Sequence, residues 1–178
     1  MIARRWPRLV LTALVGLALA GPAAAMTLTS PDVTDGAAIA ARHVYPRCGG
    51  RNLSPALSWS GAPAATRSYA VTVIDLDVKP AFWSHWILLN LPAAITRLPR
   101  GVKTAPAGAE QIATDFGDAA YGGPCPPKGT GVHRYQITVW ALSQSRIALT
   151  RGLTARELDA WLRRLSIDHA SIVGTVTG

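Results

Sequence analysis

"SYAVTVIDLDVKPAFWSHWILLNL", residues 68–91, reads as two β-strands around a short connection. Residues 68–75 set Tyr69, Val71 and Val73 against Ala70, Thr72 and Ile74, a period of two in strand-forming side chains. Residues 85–91, "HWILLNL", are nearly all apolar, as in a strand covered on both faces. Antiparallel pairing brings Asp75, which ends the first strand, and His85, which starts the second, to the same end of a sheet. Asp77, Lys79 and Trp83 fall in the connection and overhang that end.

Working outward, "PALSWS" (55–60), "RYQITVWAL" (134–142) and "ASIVGTVT" (170–177) read as further strands. One helix stands out in "LTARELDAWLRRLS", where Thr154 and Glu157 have capping-box spacing and Leu153 and Leu158 form a hydrophobic staple. Leu158, Trp161, Leu162 and Leu165 make its buried stripe. Trp59, Trp86 and Trp140 fit core positions as well. The expected fold is mostly β: a two-sheet sandwich with one or two short helices.

Residues 1–25 stand apart. Arg4, Arg5 and Arg8 precede the apolar run "LVLTALVGLALA", and Ala23 and Ala25 offer a cleavage site before Met26. That is the layout of a secretory signal peptide, with a single domain expected over 26–178 and a periplasmic or secreted location. Cleavage would remove three arginines and lower the formal charge from +8 to +5, and no stable membrane insertion is expected after it. The remaining arginines are scattered, with no basic run of the kind that grips nucleic acid. Cys48 and Cys125 are the only cysteines, and an even count in an exported chain predicts that they bond to each other.

The second informative stretch is "YGGPCPPKGTGVHRY", 121–135. Pro124, Pro126 and Pro127 fix φ, and Gly129 and Gly131 permit tight turns, so the stretch predicts a stiff loop. His133 follows it at the start of a strand and can reach the rim shared by Asp75 and His85. Chemistry-bearing residues on loops at one end of a rigid sheet commonly form a site. Singly, each has a plainer role: a strand-end histidine on a carbonyl, a turn aspartate, an exposed ion pair for Arg134. There is no HExxH and no GxSxG, so nothing supports an enzyme.

At these residues the sequence resembles the phosphatidylethanolamine-binding protein family, and most its bacterial branch, often labelled Raf-kinase-inhibitor-like. "DLDVKP" (75–80), "WSHWILLNLP" (83–92) and "PPKGTGVHRY" (126–135) carry the resemblance, supported by 53–73, "TDFG" (114–117) and "ASI" (170–172). Leu76 and Val78 depart from the usual Pro and Ala, and Cys125 stands where many eukaryotic members have glycine. The resemblance implies a β-sandwich with a small anion pocket formed by Asp75, Asp77, Trp83, His85, Pro126, His133 and Tyr135. It implies a phosphate-like or phosphorylated ligand, no cofactor and no catalysis. An interaction or inhibitor module using the pocket rim is the alternative, and a phosphoester hydrolase a second. The long C-terminal helix of animal members has no counterpart, so kinase inhibition is not implied. Because Asp75 and Asp77 repel an anion, His85 or His133 is expected to be cationic when one is bound.

Overall fold

A computed structural model describes residues 25–149 and 152–178. Residues 1–24, all but the last residue of the expected signal peptide, lie outside them. The strands are β1 (Thr27–Thr29), β2 (Leu57–Ser60), β3 (Ser68–Asp75), β4 (Trp83–Pro92), β5 (Arg97–Leu98), β6 (Glu110–Gln111), β7 (Val132–Leu142) and β8 (Asp168–Thr177). One α-helix, α1 (Ala155–Leu165), and two single 3-10 turns complete the described elements. The fold is thus the expected mostly-β architecture: a three-stranded sheet, β1-β2-β5, facing a five-stranded sheet, β6-β4-β3-β7-β8.

Strand β3 occupies the residues its alternation suggests, and it lies at the centre of the larger sheet between β4 and β7, antiparallel to both. Its two side-chain rows serve two cores. Tyr69, Val71 and Val73 join Leu57, Trp59, Trp86, Ile137 and Val139 between the sheets. Ala70 packs instead with Ile87, Leu89, Trp140, Leu158 and Leu162 beneath α1. On that same outer side Thr72 accepts the buried Trp140 indole N–H at 3.0 Å. Helix α1 begins as its sequence dictates: the Thr154 side chain accepts the Glu157 backbone N–H and Glu157 reaches back to Thr154. Trp161 and Leu165 are only partly buried and flank the stripe.

Strand β4 starts at Trp83, two residues earlier than the apolar run indicates, so Trp83 is a strand residue and not part of the connection. It also breaks register twice. Val73 pairs with Trp86 but Ile74 pairs with Ser84, so His85 is an extra residue with no partner on β3. Such a bulge switches the side-chain parity of a strand. Trp83 and His85 therefore share the inner side with Trp86 and Leu88, while Ser84 shares the outer side with Ile87 and Leu89. The second break falls at Asn90, whose positive φ of 60° turns its amide onto the backbone of Ile147.

Candidate functional site

The inner side-chain rows of β3, β4 and β7 run out into polar residues at one end of the sandwich. Asp75 stands in register with Trp83 on one side and Tyr135 on the other, so one row crosses three strands. Beyond that row lies a cavity of about 290 Å³. It is walled by Asp75, Trp83, His85, Pro126, His133 and Tyr135, together with Val78, Phe116, Cys125 and Pro127. Tyr135 is fully buried and forms its floor, while Trp83 is 36% exposed at its mouth.

The Gly/Pro loop supplies one wall and is fastened at several points. Tyr45 N–H donates to Pro124 O, Gly122 N–H donates to His85 O, and the Tyr121 hydroxyl donates to His43 O. Asn52 holds the loop from both sides of its amide: Nδ2 donates to Tyr121 O at 3.1 Å and Oδ1 accepts Gly123 N–H at 2.6 Å. Gly123 is required there, since a Cβ would lie 2.2 Å from the His43 carbonyl oxygen. Cys125 is bonded to Cys48, as the even cysteine count predicts, with a Cα–Cα distance of 5.6 Å.

Each polar group has a defined state. Asp75 is buried; one carboxylate oxygen accepts the Asp77 backbone N–H at 2.8 Å and the other accepts His133 Nδ1–H at 2.7 Å. His133 Nε2 lies 2.9 Å from Thr130 Oγ1, whose single hydrogen is already donated to Pro127 O at 2.7 Å. His133 therefore bridges the Asp75 carboxylate and the Thr130 hydroxyl, with both ring nitrogens engaged.

His85 differs. Its Nδ1–H donates to Gly122 O at 2.6 Å, while no hydrogen bond involves Nε2 among the described residues. Burial holds its pKa below the ordinary histidine value, against the opposing pull of the Gly122 and Gly123 carbonyls and the Asp75 and Asp115 carboxylates. The ring is neutral, with a lone pair on Nε2. Tyr135 keeps its proton firmly: burial, then the neighbouring Asp75 carboxylate, pushes its pKa up. Its hydroxyl is buried beside that carboxylate, close enough to be influenced by it but without a well-formed hydrogen bond among the described residues.

All but one of the residues expected from the sequence line the cavity. The exception is Asp77, which turns outward to form a fork with Arg134: Oδ2 accepts both the backbone N–H and Nε, and Oδ1 accepts Nη2 at 2.8 Å. That hydrogen bonding, with burial opposing it, lowers the Asp77 pKa to about 2. Phe116 was not anticipated. It packs edge-on to His85 and Trp83 and stacks on Tyr45. The next residue back, Asp115, fixes it by accepting both the backbone N–H and the hydroxyl of Ser84, on the opposite face of β4. The motif "TDFG" was its sequence signal. The two histidines also differ in setting: His133 is paired with Asp75, while burial holds the pKa of His85 down.

A sandwich of this strand order with a histidine, aspartate and tyrosine cavity at one end defines a class, and comparison agrees with it. The profile of the phosphatidylethanolamine-binding protein family matches residues 29–177, and the chain belongs to that family. Among its relatives, UPF0098 protein YbcL of Escherichia coli is 42% identical over 172 residues, spanning 92% of this chain and 94% of that protein. The crystal structure of YbcL, described as a member of the mammalian PEBP family, superimposes with a TM-score of 0.78 at 38% identity, covering 85% of this chain and 98% of YbcL. YbhB of the same organism is 40% identical over 83% of this chain and 97% of its own. LppC of Mycobacterium tuberculosis, which carries a provisional lipoprotein name, is 32% identical over 86% of this chain and 73% of its own.

Proposed function

We propose that this chain is a binding protein, without turnover, for a small anionic ligand of the phosphate or phosphorylated head-group kind, held in the cavity at the end of the sandwich. The observation that carries this reading is the Tyr135 hydroxyl, buried beside Asp75 at the floor of a walled cavity and short of a well-formed hydrogen bond among the described residues. A buried polar group is normally satisfied, so an unpaired one facing a cavity favours a bound acceptor. The surrounding stiffness supports it, because donors held still lose little ordering entropy on binding. The export-type N-terminal layout, the disulfide and the lipoprotein name of one relative support a periplasmic or secreted location.

The experiment is calorimetric titration of the purified protein with phosphate and acetate, alongside thermal melting. Saturable binding near one ligand per chain, weakened in Tyr135→Phe and in His85→Ala, is the expected result. Melting curves indifferent to both anions, with no heat of binding at millimolar concentration, would remove the anion site and favour a rim that grips a protein.

A further inference from the structure

The Gly/Pro loop is held in two different ways along its length. Residues 121–124 are hydrogen-bonded to the frame: the Tyr121 hydroxyl reaches His43 O, Gly122 N–H donates to His85 O, Asn52 holds Gly123, and Pro124 O accepts from Tyr45 N–H. Residues 125–130 make no backbone hydrogen bond to another segment among the described residues; their one backbone–backbone bond is internal, from Thr130 N–H to Pro127 O. Two polar or covalent ties to the rest of the fold remain there. One is the Thr130 hydroxyl, 2.9 Å from His133 Nε2, and the other is the bond from Cys125 to Cys48.

The disulfide also stands between two spaces. Cys125 and Pro126 line the cavity, whereas Cys48, Pro126, Arg47, Lys128 and Val176 line a neighbouring groove of about 700 Å³. Pro126 belongs to both, so the proline and the disulfide form the partition. Cys48 is exposed on the groove side, while Cys125 is half-buried. Arg47 and Lys128 are exposed as well, and neither has an ion-pair partner among the described residues. A thiolate approaching Cys48 therefore meets two free cations, which attract it and stabilise the thiolates that exchange releases. Exposure of this kind separates labile disulfides from inert ones.

We propose that Cys48–Cys125 is a thiol-exchange site, attacked from the groove by the paired cysteines of a dithiol reductant, and that opening it frees one wall of the cavity. A thiolate of the dithiol attacks Cys48 Sγ; a new S–S bond forms there, and the Cys48–Cys125 bond breaks with its electron pair leaving on Cys125 Sγ, which takes up a proton. The second thiol of the dithiol then loses its proton and attacks its neighbour's sulfur in the mixed disulfide, and Cys48 leaves as a thiolate and is protonated in turn. The protein gains two electrons and two protons, and the dithiol becomes a disulfide. Residues 125–130 then keep only the Thr130–His133 contact, while residues 121–124 stay fastened. Neither hydrophobic core includes a residue of 125–130, so the frame survives the release. What the cavity binds does not enter.

The test uses the unaltered, oxidised protein without denaturant, so no variant has to fold. Dithiothreitol followed by iodoacetamide should label both cysteines while the far-ultraviolet circular dichroism stays that of the folded chain. Glutathione, a monothiol that stops at the mixed disulfide, should be found on Cys48 with Cys125 alkylated. Lys128 and Lys103 are both exposed sites for trypsin, the first inside the released segment and the second outside it. Reduction should raise cleavage at Lys128 at least about tenfold more than at Lys103, because proteolysis follows the population of the locally open form. A bond that yields only in denaturant, or a fold that melts as it yields, overturns the proposal, as does glutathione carried on Cys125. Cleavage rising in step at the two lysines would mean that reduction loosens the whole fold, and no rise at Lys128 would mean that the wall is held without the bond; either result overturns it as well.

Discussion

His133 donates from Nδ1 to the Asp75 carboxylate across 2.7 Å, with both side chains buried and Nε2 set against the Thr130 hydroxyl. An ion pair of this kind is not in itself a large source of stability, but breaking one partner strands the other as a buried charge. Asp75→Asn is expected to destabilise the protein by about 3 kcal/mol or more in denaturant titrations. His133→Gln relieves the stranded charge, so the double variant should lose less than the sum of the two single losses. Additive losses would mean that the two residues act independently, against the geometry.

The disulfide closes 77 residues of sequence and joins the Gly/Pro loop to the 3-10 turn at Pro46–Cys48. In the chain-entropy description a loop of that length contributes about 4 kcal/mol by restricting the unfolded chain. Cys48→Ser combined with Cys125→Ser should lower stability by about that amount. Because Cys125 lines the cavity, ligand affinity should fall with it. Alkylation checks the bond directly: denatured but unreduced protein should take up no thiol reagent, and labelling of both cysteines there would show that they are free.

Asp77 supplies a pH dependence at the acidic end. Its pKa is lowered from the ordinary 3.8 to about 2, chiefly by the hydrogen bond from the Arg134 side chain. A carboxylate depressed in the folded state binds protons more readily when unfolded, so its stabilisation is fully present above pH 3.8 and is lost as pH falls through about 2. The effect is small because Arg134 is more than half exposed and solvent screens the pair. In an NMR titration the Asp77 carboxyl should ionise near 2 in the wild type and move upward in Arg134→Gln. An unchanged midpoint in that variant would assign the shift to the backbone N–H of residue 134 alone.

Much of this was legible before any coordinates. Strand β3 and the Thr154 cap were fixed by local signals: an unbroken alternation and a three-residue spacing. Strands β1, β5 and β6 were not, because two or three residues carry no period. The bulge at His85 was invisible for a different reason. It is a mismatch between two strands, and an apolar run such as "HWILLNL" gives no parity to read. Without that parity, the sequence could bring Asp75 and His85 to one rim but could not assign them sides. Asp77 shows the same limit, since two aspartates two residues apart looked equivalent until one faced His133 and the other Arg134. The pairing of His133 Nε2 with the Thr130 hydroxyl was equally hidden, because it depends on the path of the Gly/Pro loop.

His85 should dominate the pH dependence of stability nearer neutrality. Its folded pKa lies below the ordinary 6.5, with burial the principal cause. The unfolded chain therefore binds a proton at a pH where the folded chain does not. Stability is full above 6.5 and declines as pH falls toward the folded value, which is opposite in direction to a histidine that gains a carboxylate partner. The slope is at most one proton's worth, about 1.4 kcal/mol per pH unit. The chain has three other histidines, His43, His133 and His169, so the comparison has to be a difference. Urea titrations of wild type and His85→Gln at intervals from about pH 8 to 5 isolate the contribution of this ring. The variant is less stable at pH 8, because the donor to Gly122 O is lost, but its curve should be flatter. The two curves should converge on acidification. Curves that stay parallel would mean that His85 takes up its proton as easily inside the protein as outside. The neutral state described for this ring would then have to be abandoned.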